Sequence, residues 1–540
     1  MVRTQKTRQY SNFVLSMALL VMTELSYADP VSVFNVQNIN VDEINGIAFD
    51  TPDDIILPPR FGQAVSGVGD INGDGYDDFI AGTSSGGVND ALDIRAGEVS
   101  ISYGKSEHTE TIFGWALREL LGEGDGDRAG YSVSGAGDIN GDGFYDLIIG
   151  APELGDGTGK SYVIFGHANG IQVDSATHFN SLDGTNGFRI DTINEYDELG
   201  YSVSGAGDVN GDGYDDLVVA NRKYNGYVLF GHGGVWNSEI DVTELNGYNG
   251  FRIDLTYIDV GFTGKIVVSN AGDVNGDGIG DLIIGSTEGG APRNVTPISR
   301  GGSYVLFGHT GYWEPVMDLF TLDGNNGFFI AGNNMSLPGT VSAAGDVNGD
   351  GYADLLIGYD NEFSLIGETT YGQVGAAHLV YGRPDGWDAI FELGNTFSGN
   401  DSNKLKATVR TDQLGGTYFG QSVSGIGDFN GDGFDDLIIG EPGRQKSYTD
   451  GISRNEGSAY VYFGSVDFDG SGFRIDGVDN TVSSVLGTSV SGVGDYNGDG
   501  FDDLIIGAPG ARAVYLLYGG SNGWSSAVIS RCNSTQQPCC

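Results

Sequence analysis

The chain has 540 residues, a formal net charge of −47 and 92 glycines, and 39% of its residues are hydrophobic. That apolar share excludes a disordered acidic tail, and the acidity excludes a nucleic-acid partner, whose phosphates such a surface repels. With 26 Lys and Arg against 73 Asp and Glu, any basic cluster stands out.

Residues 1–28 carry Arg3, Lys6 and Arg8, an apolar stretch from Phe13 to Met22, and Ser26-Tyr27-Ala28 ahead of Asp29. A basic start, a short apolar core and a small-x-small site predict a signal peptide, and hence a secreted protein, extracellular or periplasmic. The apolar stretch is shorter than the roughly 20 residues a membrane span needs, and no later stretch approaches that length, so no membrane span is expected. Next, Ile44-Asn45-Gly46-Ile47-Ala48-Phe49 reads as a lone strand.

From residue 70 the chain repeats Asp-x-Asn-Gly-Asp-Gly-x-x-Asp seven times, at intervals of 65 to 82 residues. Units of that length are too short for a core of their own and must stack on their neighbours. Oxygen donors at every second position of a glycine-bent loop suit Ca²⁺, whereas Zn²⁺ would want His or Cys. The first loop offers Asp70, Asn72, Asp74, the carbonyl of Tyr76, and Asp78. The same five roles fall on Asp138, Asn140, Asp142, Phe144 and Asp146, then on Asp208, Asn210, Asp212, Tyr214 and Asp216. They continue at Asp273, Asn275, Asp277, Ile279 and Asp281, and at Asp346, Asn348, Asp350, Tyr352 and Asp354. The last two sets are Asp428, Asn430, Asp432, Phe434, Asp436 and Asp495, Asn497, Asp499, Phe501, Asp503. An EF-hand would need Glu at position twelve between two helices, but that position is Ala81, Ile149, Val219, Ile284, Ile357, Ile439 or Ile506, within an apolar run. Up to seven structural calcium ions are therefore expected.

Around each loop the order of runs is constant. An alternating run such as Tyr131 to Gly135 precedes it and a buried run such as Leu147 to Gly150 follows. A third run is Tyr162 to Gly166, echoed at Tyr227, Tyr304 and Tyr460, and a fourth is Gly187-Phe188-Arg189-Ile190, echoed at Gly250 and Gly472. Short β-branched and aromatic runs bounded by glycine are strands. The fold class is all-β: a seven-bladed β-propeller of four-stranded blades over residues 29–530. The last unit lacks a fourth strand, and Ile44 to Phe49 supplies it, so the N-terminal strand is expected to complete the last blade and close the ring. The tail, 531–540, holds the only cysteines, Cys532, Cys539 and Cys540, which have no upstream partner and cannot staple the fold.

His167, His232 and His309 each follow Phe-Gly after the third strand, which marks them as scaffold. His108, His178 and His378 have no serine or cysteine partner readable from spacing, and no catalytic residue is assigned. Ligand binding is expected where the repeat breaks, in the loops 82–96, 286–302, 359–375 and 441–457. Around the sixth blade, Lys404, Lys406, Arg410, Arg444, Lys446 and Arg454 form a candidate basic patch for an anionic partner.

Phe61-Gly62, Gly150-Ala151-Pro152 and Gly507-Ala508-Pro509, in phase with the calcium loops, resemble the FG-GAP repeat of integrin α-chain propellers over roughly residues 40 to 520. Val219-Ala220-Asn221 and Gly440-Glu441-Pro442 depart from that pattern. The resemblance implies structural calcium loops on one face and partner binding on the other, and similar stand-alone propellers occur in exported bacterial proteins. The expected function is an extracellular binding or adhesion module for a protein or polysaccharide. The alternative is an exported hydrolase or enzyme-accessory propeller.

Overall fold

Seven innermost strands stand around one axis: Ala64–Gly69, Ser132–Gly137, Ser202–Gly207, Ile266–Gly272, Thr340–Gly345, Val423–Gly427 and Ser489–Gly494. The computed structural model describes residues 33–35, 46–49 and 60–521, apart from 85–95, 106–116, 125, 153–156, 174–177, 193, 195–196, 223–224, 256–264, 287–301, 333–337, 367–369, 385, 394–401, 406–415, 448–452 and 478–482. The expected signal peptide 1–28 and cysteine tail 531–540 lie outside the described residues. From each innermost strand a blade runs outward as an antiparallel sheet; in the first it continues through Asp78–Thr83, Glu98–Ser102 and Leu117–Leu121. In the last blade the outer position is held by Gly46–Phe49, antiparallel to Ala513–Leu517 with Ile47 opposite Leu516.

Each innermost strand packs on the next, and the last packs on the first. Gly67 N–H donates to Ser491 Oγ at 3.2 Å and Ser489 Oγ to the Gly62 carbonyl at 3.0 Å, joining blades one and seven. Glycine at this register is a steric requirement: a Cβ on Gly67 would lie 2.4 Å from the Gly492 carbonyl oxygen. The second strands, such as Asp146–Ala151, are buried along their whole length. Their side chains feed seven apolar clusters, each drawn from two adjacent blades, so every blade is half of two cores.

The sequence reading of four strands per blade omits one element. In blades two, three, four and six a short fifth strand runs parallel to the outer strand: Glu239–Asp241 on Gly187–Asp191, Val316–Asp318 on Gly250–Asp254, Ile390–Glu392 on Gly327–Ala331, and Val33–Asn35 on Gly472–Asp476. The first three come from the connection of the following blade, so that blades three, four and five each lace the edge of the one before it. A tryptophan fastens three of these laces. Trp236 stacks on Phe188, Trp313 on Phe251 and Trp387 on Phe328, with ring centroids 4.6, 4.4 and 4.0 Å apart. His232, His309 and Arg383 cover the other faces of the indoles at 4.0 to 4.3 Å. Two of the three repeating histidines, His232 and His309, are therefore scaffold for a definite reason, and the third, His167, instead faces the Phe144 ring at 6.3 Å.

Phe251 is fully buried and His309 is exposed, which orders the two contributions to one stack. Phe251→Ala should lower the unfolding free energy by about 3–5 kcal/mol. His309→Ala should lower it by about 0.5–1.5 kcal/mol, the value of a ring contact without burial. Urea midpoints at constant m-value measure both, and equal losses would refute the lace.

Candidate metal loops and the opposite face

Each innermost strand ends in a β-bulge at glycine: Gly69, for example, has φ +70°, and the register shifts between Gly67 and Gly69. The bulge turns the chain out of the sheet into the loop. Asp70 then organises the turn. Its Oδ1 accepts the N–H groups of Gly73 and Asp74 at 2.6 and 3.1 Å, and its Oδ2 accepts that of Gly75 at 2.7 Å. Asn72 Oδ1 accepts from Asp74 N–H, and Asp74 Oδ1 from Tyr76 N–H. The loop of Asp138 repeats these bonds one for one.

The ninth-position carboxylates, Asp78, Asp146, Asp216, Asp281, Asp354, Asp436 and Asp503, are completely buried. One oxygen of each accepts the N–H of the glycine after the third strand, at 2.7–2.9 Å. The other accepts a backbone N–H from the start of its own loop, at 2.9–3.2 Å. Burial pushes the carboxyl of Asp78 up to about 8 against the pull of those N–H groups, and the charges of Asp74 and Asp70 add to the rise. Asp216, Asp281, Asp354, Asp436 and Asp503 reach about 8 for the same leading cause, and Asp146 is raised well above the usual carboxylate range.

Among the described residues no three His, Cys, Asp or Glu side chains close on one point as a metal cluster. The donor set nevertheless fits a hard divalent cation. Every group offered is oxygen, and a buried carboxylate facing two further carboxylates lacks the positive charge that would let it ionise. Asp70, Asn72, Asp74, the Tyr76 carbonyl and Asp78 would hold such an ion, as would their counterparts in the other six loops.

The seventh position does more than offer a carbonyl. Its side chain reaches back to the loop of the preceding blade and lies over the fourth-position glycine. A Cβ on Gly73 would lie 2.5 Å from Phe144, on Gly141 2.4 Å from Tyr214, and on Gly498 2.4 Å from Tyr76. Aspartates at the eighth position form a second link. Asp77, Asp215, Asp435 and Asp502 accept the backbone N–H of the first loop residue in the preceding blade, Asp495, Asp138, Asp346 and Asp428, at 2.7–2.9 Å. Neither role is visible in one repeat alone, although the Asp-Asp pair ending four of the loops is a signal that could have been followed.

Other ends of the strands carry the remaining candidates. Arg444 does not belong to an open basic patch. It is buried, and its guanidinium donates to Tyr460 Oη at 3.1 Å and lies 3.3 Å from Glu441 Oε2, which also accepts the Tyr460 hydroxyl at 2.6 Å. Lys446 and Arg454 are register partners in a hairpin, Gln445–Ser447 with Ser453–Asn455. Lys404 lies on the outer strand of blade five, and Lys406 and Arg410 fall outside the described residues. His378 is buried 3.5 Å from Glu362. The sequence Gly82-Thr83-Ser84-Ser85-Gly86 has the spelling of a nucleophile elbow, which the sequence reading overlooked. Ser84 is buried and its hydroxyl donates to Gln63 Oε1 at 2.8 Å, with no imidazole in the bond.

Gly141 and Gly143 have similar positive φ, +73° and +91°, but only Gly141 lies under a neighbouring ring. Gly143→Ala should cost about 1 kcal/mol in backbone strain alone. Gly141→Ala should cost roughly twice that or more, because Tyr214 must also move. Comparing the two by thermal unfolding tests the cross-blade lid, and equal losses would remove it.

The FG-GAP repeat matches residues 61–101, 129–164, 199–230, 338–380, 419–462 and 486–524, which fall in six of the seven blades. Integrin alpha-PS5 of Drosophila melanogaster is 29% identical over 179 residues, 32% of this chain and 15% of that protein. Integrin alpha-6 of Gallus gallus is 33% identical over 171 residues, 31% of this chain and 14% of that protein. Phosphatidylinositol-glycan-specific phospholipase D of Bos taurus is 26% identical over 439 residues, 75% of this chain and 46% of that protein. The chain spans less than half the length of each of these relatives. The chain is thus a seven-bladed β-propeller that carries FG-GAP repeats in phase with six of its blades and has partial identity to integrin α chains.

Proposed function

We propose that the chain is a secreted binding or adhesion module, with a structural calcium ion in each of its seven loops and an extracellular protein or polysaccharide as its partner. The observation that carries this reading is the difference between the two ends of the blades. One end repeats the same acidic loop in all seven blades, and the other carries connections that differ from blade to blade. Calcium supplies two positive charges and a preference for oxygen donors. The loop residues orient those donors through their bonds to backbone N–H groups, and the ninth-position carboxylate holds the loop against the blade. No described helix is long and apolar enough to cross a membrane.

We infer further that Gly46–Phe49 is the strand that closes the ring. Its pairing with Ala513–Leu517 supports this, and so does Val33–Asn35, which meets blade six as the other laces meet theirs. A second reading, an exported hydrolase or enzyme-accessory propeller, draws support from the phospholipase D alignment, which runs over 75% of the chain.

If free calcium exceeds the dissociation constant about tenfold, each site adds about 1.4 kcal/mol. Excess chelator should then lower the melting temperature by roughly 10 °C or more. An unchanged melt in chelator would sink the calcium assignment. Deleting residues 31–50 should likewise lower the melt, and a normal melt for that variant would reject closure by this strand. For the function itself, the purified protein is applied to arrayed matrix proteins and polysaccharides in millimolar calcium and again in chelator. Saturable binding lost in chelator is expected, and its absence from the calcium-loaded protein would favour the hydrolase reading.

A further inference from the structure

Between blades six, seven and one, at the ends of the strands away from the acidic loops, lies a cavity of about 420 Å³. That volume falls in the range of small-molecule sites, roughly 300–1,000 Å³. Its lining is unusual for this chain: 73 residues of the sequence are Asp or Glu, yet among the described residues none of them lines the cavity. The polar lining is Arg60, Gln63, Tyr418, Gln421, Asn455 and Thr488. Arg60 is exposed and makes no ion pair among the described residues. By contrast Glu198, which holds the same place in the third repeat, is paired with Arg222 at 3.1 Å.

The backbone sets these side chains on the rim. Arg60, Tyr418 and Val485 precede the Phe-Gly, Phe-Gly and Leu-Gly turns of their blades, with φ of +68°, +58° and +49°. The left-handed turn is a property of the repeat, since Arg128 and Glu198 share it. At this joint three such residues converge on one cavity. Gln63 Oε1 is occupied by the Ser84 hydroxyl, which leaves its amide N–H groups as donors. The Thr488 hydroxyl donates to the Val485 carbonyl at 2.7 Å, leaving its oxygen as an acceptor.

We propose that this cavity is a binding subsite for a carboxylated sugar, the acidic residue of an extracellular glycan, with Arg60 taking the carboxylate. It rests on the binding reading above and adds the class of ligand. One guanidinium matches one carboxylate in a paired geometry. Three side-chain amides and a hydroxyl offer both donors and acceptors, which suits the hydroxyl groups of a sugar ring. The partly exposed ring of Tyr418 gives it an apolar face to lie against. The absence of carboxylates from the described lining lessens the repulsion that the rest of this surface would impose on an anion.

The test uses the full mature chain loaded with calcium. Hyaluronan tetrasaccharide and 3′-sialyllactose serve as carboxylated probes, with chitotetraose and lactose as their neutral counterparts, and titration calorimetry is the readout. At least one carboxylated probe should bind saturably, and neither neutral counterpart should match it. Arg60→Gly removes the cation while suiting the positive φ, so it should weaken that binding at least tenfold with an unchanged melt. Thr488→Trp, which fills the cavity, should weaken it as much. The proposal is overturned if neither carboxylated probe binds, if the neutral probes bind equally well, or if both variants bind like the parent. Should both variants keep the array binding described above, the adhesion reading survives and this subsite alone is lost.

Discussion

The carboxylate of Asp78 and its six counterparts, buried with both oxygens taken by backbone N–H groups, joins three pieces of chain that sequence separates: the loop start, the second strand and the exit of the third. A carboxyl group in such a place needs either a proton or a neighbouring cation. A raised pKa, and with it a retained proton, is the first solution, and a calcium ion would be the second. Loop and blade are thus joined by one device used seven times, whose three aspartates per loop account for 21 of the 73 acidic residues. The three outer oxygen donors of each loop would mean little without this inner anchor, because a solvated Asp-Gly turn has no fixed relation to the sheet behind it.

What the ninth position does within a blade, the seventh and eighth do between blades. The ring over the neighbour's glycine and the carboxylate on the neighbour's N–H reach across the joint at the loop face. A third tie runs all the way round: the backbone N–H just beyond each third strand donates to the preceding loop at 2.8–3.0 Å, from Lys105 on Tyr496 through to Gly520 on Phe429. Since all seven apolar clusters also lie between blades, a single blade cut from the ring would expose both of its faces. Stability is then a property of joints, as in other repeat proteins, with the difference that a ring has no capping repeat. The joint between the first and last blades must be as good as the others. Tyr496, Phe79 and the Ser491 hydroxyl make it so from the inside.

Short-range pattern in the sequence carried the loops, the strand order and the strand at Gly46–Phe49, because the loop spacing and the two-residue period of a strand act within a dozen residues. Contacts one repeat apart were hidden, since nothing in Trp313 by itself announces Phe251 as its partner. The fifth, parallel strands were missed because Glu239–Asp241 and its kin are three residues long and only half buried. Arg444 was misread for a different reason. A basic residue in a long loop of an acidic chain looks like surface, yet Glu441, three residues before it, had already departed from the Gly-Ala-Pro pattern to become its buried partner.

The two ends of the blades differ in how much freedom they leave. At the loop end, a change at the fourth or ninth position disturbs a neighbouring blade or a buried carboxyl group, so glycine and aspartate recur there in all seven loops. At the other end the repeat asks only for a left-handed residue before an apolar-Gly turn, and Arg60, Arg128, Glu198, Tyr418 and Val485 all satisfy it with different chemistry. Strain of about 1 kcal/mol is met in each case by the packing of the next two residues, not by the side chain itself. That side chain is therefore free to be chosen for what it touches outside the fold. A ring of structurally equivalent, chemically independent positions is a surface on which one joint can acquire a cation in a chain of net charge −47 without any change to the scaffold beneath it.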